Sequence, residues 1–376
     1  MPDMQKIPCV YMRGGTSKAL VFHKSDLPED RSQWKEIFLK AMGTPDVKQI
    51  DGMGGTVSST SKIAVISPSA RAGVDVDYYF AQVDIDRPTV ADNLNCGNIS
   101  SAVGPFAIDE GLVEAVEPIT TVRIYNENTK RIIEACVRVA NGRACAYGDA
   151  VIQGVPGTGS RIDLLFENPC GASTGKTFPT GHRKELFDIP DYGPVEVSVV
   201  DISNLAVFVR AKDVGLKGTE LTEVNNMPKV MEHLERIRCM AAQKAGLVEH
   251  WEEARTAYAA SPKIGILSEP QDYVDMDGNH VQAKSMDICC RMISVRSMHK
   301  AYPMTYAVGT GSAALMEGTL PYETAALTHG EGRVIIGHAS GCTEVTVCRQ
   351  GDGDEITKAG IVRTARRIMD GNLYIR

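Results

Sequence analysis

The sequence predicts an α+β protein built as two strand-rich lobes. Three observations carry that reading: short apolar runs punctuated by glycine outnumber helical patterns, the few helical patterns fall between strands, and one strand-plus-helix pattern occurs twice. A chain of 376 residues also exceeds what one hydrophobic core normally fills. The lobes are expected over 1–185 and 186–376, with the last strand free to return to the first lobe.

Taken in order, IPCVYM and SKALVF read as strands around a Gly-Gly turn. DRSQWKEIFLKAM places Trp34, Ile37, Phe38 and Met42 at helical spacing. KIAVIS and VDYYFAQVDI follow as strands, a helix opens at Cys96 in NLNCGNISSAV, and strands are expected from TVRIYNE through ACAYGDAVI to IDLLF. The second half begins near PVEVSVVDISNLAVFVRAKDV and adds the surface helix PKVMEHLERIRCMAAQKAG and the strand KIGILS. MDICCRMISVRSMH reads as a buried helix, TGSAALMEGT as a helix start, and RVIIGH and EVTVCR as closing strands.

The recurring pattern is TSKIAVISPS, from Thr60, and SPKIGILSEP, from Ser261. A lysine opens each strand, and a glycine-flanked helix start follows each: NCGNISSAVG after Lys62 and GTGSAALMEG after Lys263. A duplication explains this, against chance as the competing account of so short a match. Two helix N-termini would then face each other across the interface between the lobes. Such ends carry unsatisfied N–H groups and favour anions, so a pair of them suits a small di- or tricarboxylate. MRGGTSK adds the hydroxyls of Thr16 and Ser17, with Arg13 and Lys18 nearby, although alone it is a polar turn. Neither it nor DGMGGT has the spacing of a phosphate-binding or dinucleotide-binding loop.

Charge and composition exclude other classes. The formal charge of −7, without Lys and Arg runs interleaved with aromatics, argues against nucleic acid as a partner. No stretch has the length of a membrane span and MPDMQKIPCV lacks signal-peptide character, so a cytoplasmic location is expected. The ten cysteines form no C-x-x-C pair, and the eight histidines show no H-x-x-x-H or H-E-x-x-H spacing, so no metal site is expected. Cys289 and Cys290 read as structural. Cys96 stands apart, because a thiol in the first turn of a helix meets exposed N–H donors and the positive end of the macrodipole. The competing account makes it a small buried hydrophobe.

MRGGTSKALVF, QIDGMGGT, TSKIAVI, VDYYFAQV, NCGNISSAVGPFAIDEGLV, IQGVPGTGS, FPTG, SPKI and MHKAYPMTYAVGTGSAA occur in the order seen in the PrpF family, and the similarity runs from about Pro8 to RTARRIMDGNLYI. The sequence thus resembles a family that includes 2-methylaconitate isomerase, 3-methylitaconate delta-isomerase, 4-oxalomesaconate tautomerase and aconitate delta-isomerases. The resemblance implies a diaminopimelate-epimerase-like fold, with two pseudo-symmetric lobes each wrapped around a central helix and the active site between them. It implies Lys62 and Cys96 as the catalytic pair, which move a double bond without cofactor by taking a proton from one carbon and returning one to another.

The developing dienolate needs donors around its carboxyl oxygens. The N–H groups of Gly97 and Asn98 at one helix start, and of Thr310, Gly311 and Ser312 at the other, are expected to supply them. Thr16 and Ser17 act as side-chain donors, Lys263 as a fixed positive charge, and Asn95 completes the substrate-binding set. His299 is expected to be neither acid nor base. The second half looks more like the methylitaconate and methylaconitate isomerases than the oxalomesaconate tautomerases. Three alternatives stand beside this reading: a tautomerase of oxalomesaconate type, a racemase or epimerase pairing Cys96 with a second thiol such as Cys342, and a carboxylate-binding protein without turnover. The partner is a small polycarboxylate, and homo-oligomer formation stays open.

Overall fold

The computed structural model describes residues 4–92, 96–294, 297–351 and 355–376. The chain divides into two compact units, one of Met1–Glu167 with Val362–Arg376 and one of Asn168–Ile361. The division thus falls earlier than 185, and the C-terminal segment is counted with the first unit.

In the first unit the strands Gln5–Gly14 and Ser17–His23 form an antiparallel hairpin. Ser17–His23 pairs in parallel with Lys62–Pro68, which pairs antiparallel with Val76–Val83. Val76–Val83 pairs in parallel with Ile119–Asn126, followed antiparallel by Arg131–Ala140 and Ile162–Glu167. Each parallel pair needs a crossover, and a helix lies in each: Trp34–Met42 in the first and Gly97–Asp109 in the second. The C-terminal strand Ala365–Ile375 pairs antiparallel with Gln5–Gly14.

The two helices differ as their sequences require. Trp34–Met42 is amphipathic and buries Trp34, Ile37, Phe38, Ala41 and Met42 against Leu20, Phe22, Ile63 and Val65. Fully burying a side chain of the size of Phe38 contributes about 1.5–3 kcal/mol. Gly97–Asp109 is apolar or small on every side, and its residues from Ile99 to Ile108 are all buried, which makes it the central helix of the unit. Its small residues let strands come close: a Cβ on Gly104 would lie 2.9 Å from Ala135 Cβ.

The second unit repeats this series. Gly193–Ile202 and Asn204–Arg210 form the hairpin, and Asn204–Arg210 pairs in parallel with Lys263–Ser268. Lys263–Ser268 pairs antiparallel with Ile288–Ser294, which pairs in parallel with Arg333–His338 and is followed antiparallel by Gly341–Arg349. The crossovers hold the helices Pro228–Lys244 and Met304–Ala313. Lys62 and Lys263 therefore open corresponding strands, each parallel to the second strand of a hairpin, and the lysine echo is a repeat of topology.

Three expectations change. MDICCRMISVRSMH is not a helix: Ile288–Ser294 is a strand with Cys289 and Cys290 both fully buried. A strand covered on both faces reads as one continuous apolar run, which periodicity cannot distinguish from buried helix. ACAYGDAVI holds only the last residue of the two-residue strand Arg143–Ala144 and an isolated bridge at Ala150, the longer strand being Arg131–Ala140 just before it. The second central helix starts at Met304 rather than near Thr310. Among the described residues no helix is long and apolar enough to cross a membrane.

Candidate active site

Lys62 is the first residue of its strand and only 7% exposed. Its Nζ donates to Gln82 Oε1, from the residue directly opposite in the antiparallel register, and lies 5.3 Å from the centroid of the Phe80 ring. The Gln82 amide cannot turn round without loss, because its Nε2 donates to the carbonyls of Ser61 at 2.9 Å and Ser58 at 3.1 Å. Its oxygen is thereby committed to the lysine. DGMGGT supports this arrangement from behind: Thr56 N–H donates to Gln49 Oε1, and Gln49 Nε2 donates to Ser61 Oγ at 2.7 Å, beside Lys62.

Cys96 occupies the N-cap position of the central helix, in extended conformation with φ −114° and ψ 100°. Its carbonyl accepts from Ser100 N–H at 2.9 Å and Ser100 Oγ at 3.1 Å. The Cys96 side chain makes no capping bond, and the N–H groups of Gly97, Asn98 and Ile99 precede the first intrahelical bond, the kind of helix end that favours anions. The Tyr78 hydroxyl is buried beside Ser100 and Cys96. Burial first, and then the charge of Cys96, hold it well above the usual phenol range, with Ser100 acting the other way.

One strand relates the two groups. Tyr78, Phe80 and Gln82 alternate along Val76–Val83 and so project from one face, while Tyr79 points oppositely, onto Trp34, with ring centroids 5.4 Å apart. Cys96 acts on Tyr78 at one end of this row, and Lys62 holds Phe80 and Gln82 at the other. Four residues of strand span about 13 Å, so the side chains that Lys62 and Cys96 act on belong to one row on one strand face.

The hairpin tip closes on the helix end. Asn98 Nδ2 donates to Thr16 Oγ1 at 2.9 Å, and Asn98 Oδ1 accepts from Arg363 Nε at 3.2 Å. Thr16 is exposed, and its hydroxyl, already accepting from Asn98, has its own hydrogen to donate. Ser17 is buried where its strand begins. Arg13 is structural, with Nη1 donating to the carbonyls of Gly15 and Thr364 at 2.9 Å each. Asn95 lies outside the described residues.

Gly15 has φ +50°, and a Cβ there would stand 2.2 Å from Asn98 Oδ1. Gly15→Ala is expected to push the Asn98 amide off both Thr16 and Arg363. The expected result is a loss of activity of about tenfold or more with a stability cost of about 1–3 kcal/mol, read by turnover and urea denaturation.

In the second unit the expected donors do not form an anion-binding end. Thr310, Gly311 and Ser312 are buried in the last turns of Met304–Ala313, where their N–H groups serve the helix itself. Thr310 Oγ1 donates to Tyr306 O at 2.8 Å. The N-cap is Pro303, so no thiol occupies the place corresponding to Cys96. Cys342 lies beside the buried cluster of Tyr273, Met286 and Cys289, and burial pushes its thiol up. Lys263 Nζ donates to Ala260 O at 3.0 Å and lies 5.1 Å from the Tyr306 ring centroid. Burial, then the charge of Arg238, lowers its pKa. His299 keeps its ring on the Ala301 carbonyl. A cavity of about 600 Å³ opens at the other end of the Lys263 strand, where Arg210 is already paired with Glu196 and Glu323 at 2.6 Å each.

The family model described as PrpF protein matches residues 4–376. The chain belongs to the PrpF family. It is 42% identical to the 3-methylitaconate isomerase of Eubacterium barkeri, over 100% of this chain and 98% of that protein. It is 36% identical to the 2-methyl-aconitate isomerase of Shewanella oneidensis, over 98% of this chain and 97% of that protein. Among solved structures, that of a methylitaconate-delta-isomerase matches with a TM-score of 0.94 at 42% identity, covering 99% of this chain and 96% of that one. The PrpF-family chain accordingly has the α+β fold of that methylitaconate-delta-isomerase.

Sequence reasoning missed Gln82, Tyr78 and Arg363 in this PrpF-family chain. The first two sit in VDYYFAQVDI, where a polar residue in alternation with two buried aromatics was the available signal. Arg363 belongs to RTARR, a cluster of positive charge in an acidic chain. Its partner Asn98 is 265 residues away, a separation no local pattern bridges.

Proposed function

We propose that this chain is an isomerase that relocates a carbon–carbon double bond within a small unsaturated di- or tricarboxylate of the methylitaconate or methylaconitate type, with Lys62 and Cys96 carrying the proton. The observation behind the pair is the shared strand face: a clamped amine and a thiol at the helix N-cap address one row of side chains. One group removes the proton beside the conjugated carboxylate, and the other returns a proton to the far carbon of the allylic system. The N–H groups at the Gly97 helix end and the Thr16 hydroxyl hold a carboxylate as charge spreads into the dienolate. The likeness over the whole chain to two proteins named as isomerases of methylitaconate and methyl-aconitate supports this substrate class.

The test is incubation in D2O with methylitaconate, aconitates and oxalomesaconate, followed by NMR. Deuterium entering a methylitaconate or aconitate together with double-bond migration is the expected result. Exchange confined to oxalomesaconate would move the assignment to a tautomerase, and absence of exchange in all of them would overturn it.

A further inference from the structure

Among the described residues the charge at residue 363 has no carboxylate to meet it. Arg363 donates through Nε to Asn98 Oδ1 at 3.2 Å and through Nη1 to Val362 O at 2.9 Å, and among the described residues no carboxylate lies within ion-pair distance. Its neighbour in the same segment is arranged differently, since Arg367 pairs with Glu110 and, at 3.2 Å, with Asp370. Arg363 is half-buried, and a cation partly withdrawn from water without a counter-ion is unfavourable, an arrangement proteins keep where a negative charge appears beside it. Burial lowers the Arg363 pKa to about 10, so the group stays charged at neutral pH, and Cys96 is the residue whose charge opposes that shift. The charge of Cys96 acts on Arg363 and on Tyr78, and the undescribed residues 93–95 are Asn, Leu and Asn, which do not titrate.

We propose that Arg363 is a positioning residue of the isomerisation, carrying the counter-charge for Cys96 whenever that thiol has given up its proton and, through the Asn98 amide, fixing the Thr16 hydroxyl. This rests on the proton-carrying role of Cys96 given above. The proton balance is simple: in one half of the cycle sulfur is S–H, in the other S⁻, and the guanidinium favours the second form without exchanging a proton itself. The Asn98 amide ties the two functions, because its oxygen takes the guanidinium and its nitrogen gives to Thr16.

The test needs no substrate. The rate at which iodoacetamide alkylates Cys96 at neutral pH, followed by mass spectrometry of the peptide that carries it, reports the thiolate. Arg363→Gln and Arg363→Met remove the charge, and whichever of them retains the wild-type melting transition is compared with Arg363→Lys. The expected result is alkylation slowed by about tenfold or more in the neutral variant and held within about threefold of wild type in the lysine variant. In turnover, the neutral variant is expected to lose kcat more than it raises KM. Equal alkylation rates in wild type, lysine variant and neutral variant would overturn the inference. Because alkylation is read without substrate, a charge-dependent rate would uphold the role of Arg363 on Cys96 even if no enoic acid exchanged deuterium, and a charge-independent rate in an active isomerase would sink this inference alone.

Discussion

Lys62→Met is expected to abolish incorporation of solvent deuterium into substrate. Methionine keeps the length of the side chain and its place over the Phe80 ring while removing the only atom that can carry a proton. A positioned acid or base contributes about 10²–10⁴-fold, so the loss should fall in or beyond that range. The substitution also leaves Gln82 Oε1 without its donor, at a cost of about 1–3 kcal/mol for a buried acceptor. A melting curve recorded alongside the exchange assay separates that cost from the chemistry. Full exchange activity in a folded Lys62→Met protein would remove the amine from the mechanism.

Cys96→Ser should give the second large effect, and with the opposite sign on stability. Cys96 is an N-cap whose side chain makes no capping bond, and serine is among the preferred residues at that position. The variant is therefore expected to be as stable as wild type or up to about 1 kcal/mol more stable. A hydroxyl releases its proton far less readily than a thiol, so turnover should fall by about 10²-fold or more while KM changes little. A variant with unchanged turnover and a large rise in KM would make Cys96 a binding residue rather than a proton carrier.

The lysine that opens a strand, the cysteine before a helix and the first hairpin were legible because each is local. Lys62 opens a short apolar strand, and Cys96 precedes a run of small residues that can only be a buried helix. The start of the second helix was misread because Gly309 and Gly311 look like an opening turn. They are instead the points where the helix touches strands: a Cβ on Gly309 would meet Ile202 O at 2.8 Å, and one on Gly311 would meet Val345 Cβ at 2.7 Å. Tertiary contact outweighs the poor helix propensity of glycine there. Ile288–Ser294 was misread for a related reason, since burial on both faces erases the alternation that marks a strand. Gln82 could have been found from its register opposite Lys62, but that register exists only once the strands pair.

The strand Ala365–Ile375 runs beside Gln5–Gly14, and Gly15 N–H donates to Thr364 O at 2.9 Å, so two segments about 350 residues apart meet at the helix end that bears the sulfur. During translation the amine, the sulfur and the threonine hydroxyl all leave the ribosome long before the guanidinium does. A fragment that stops between residues 96 and 363 would carry the amine and the sulfur and still lack the charge set against the sulfur, so this end is complete only once residue 363 has been added.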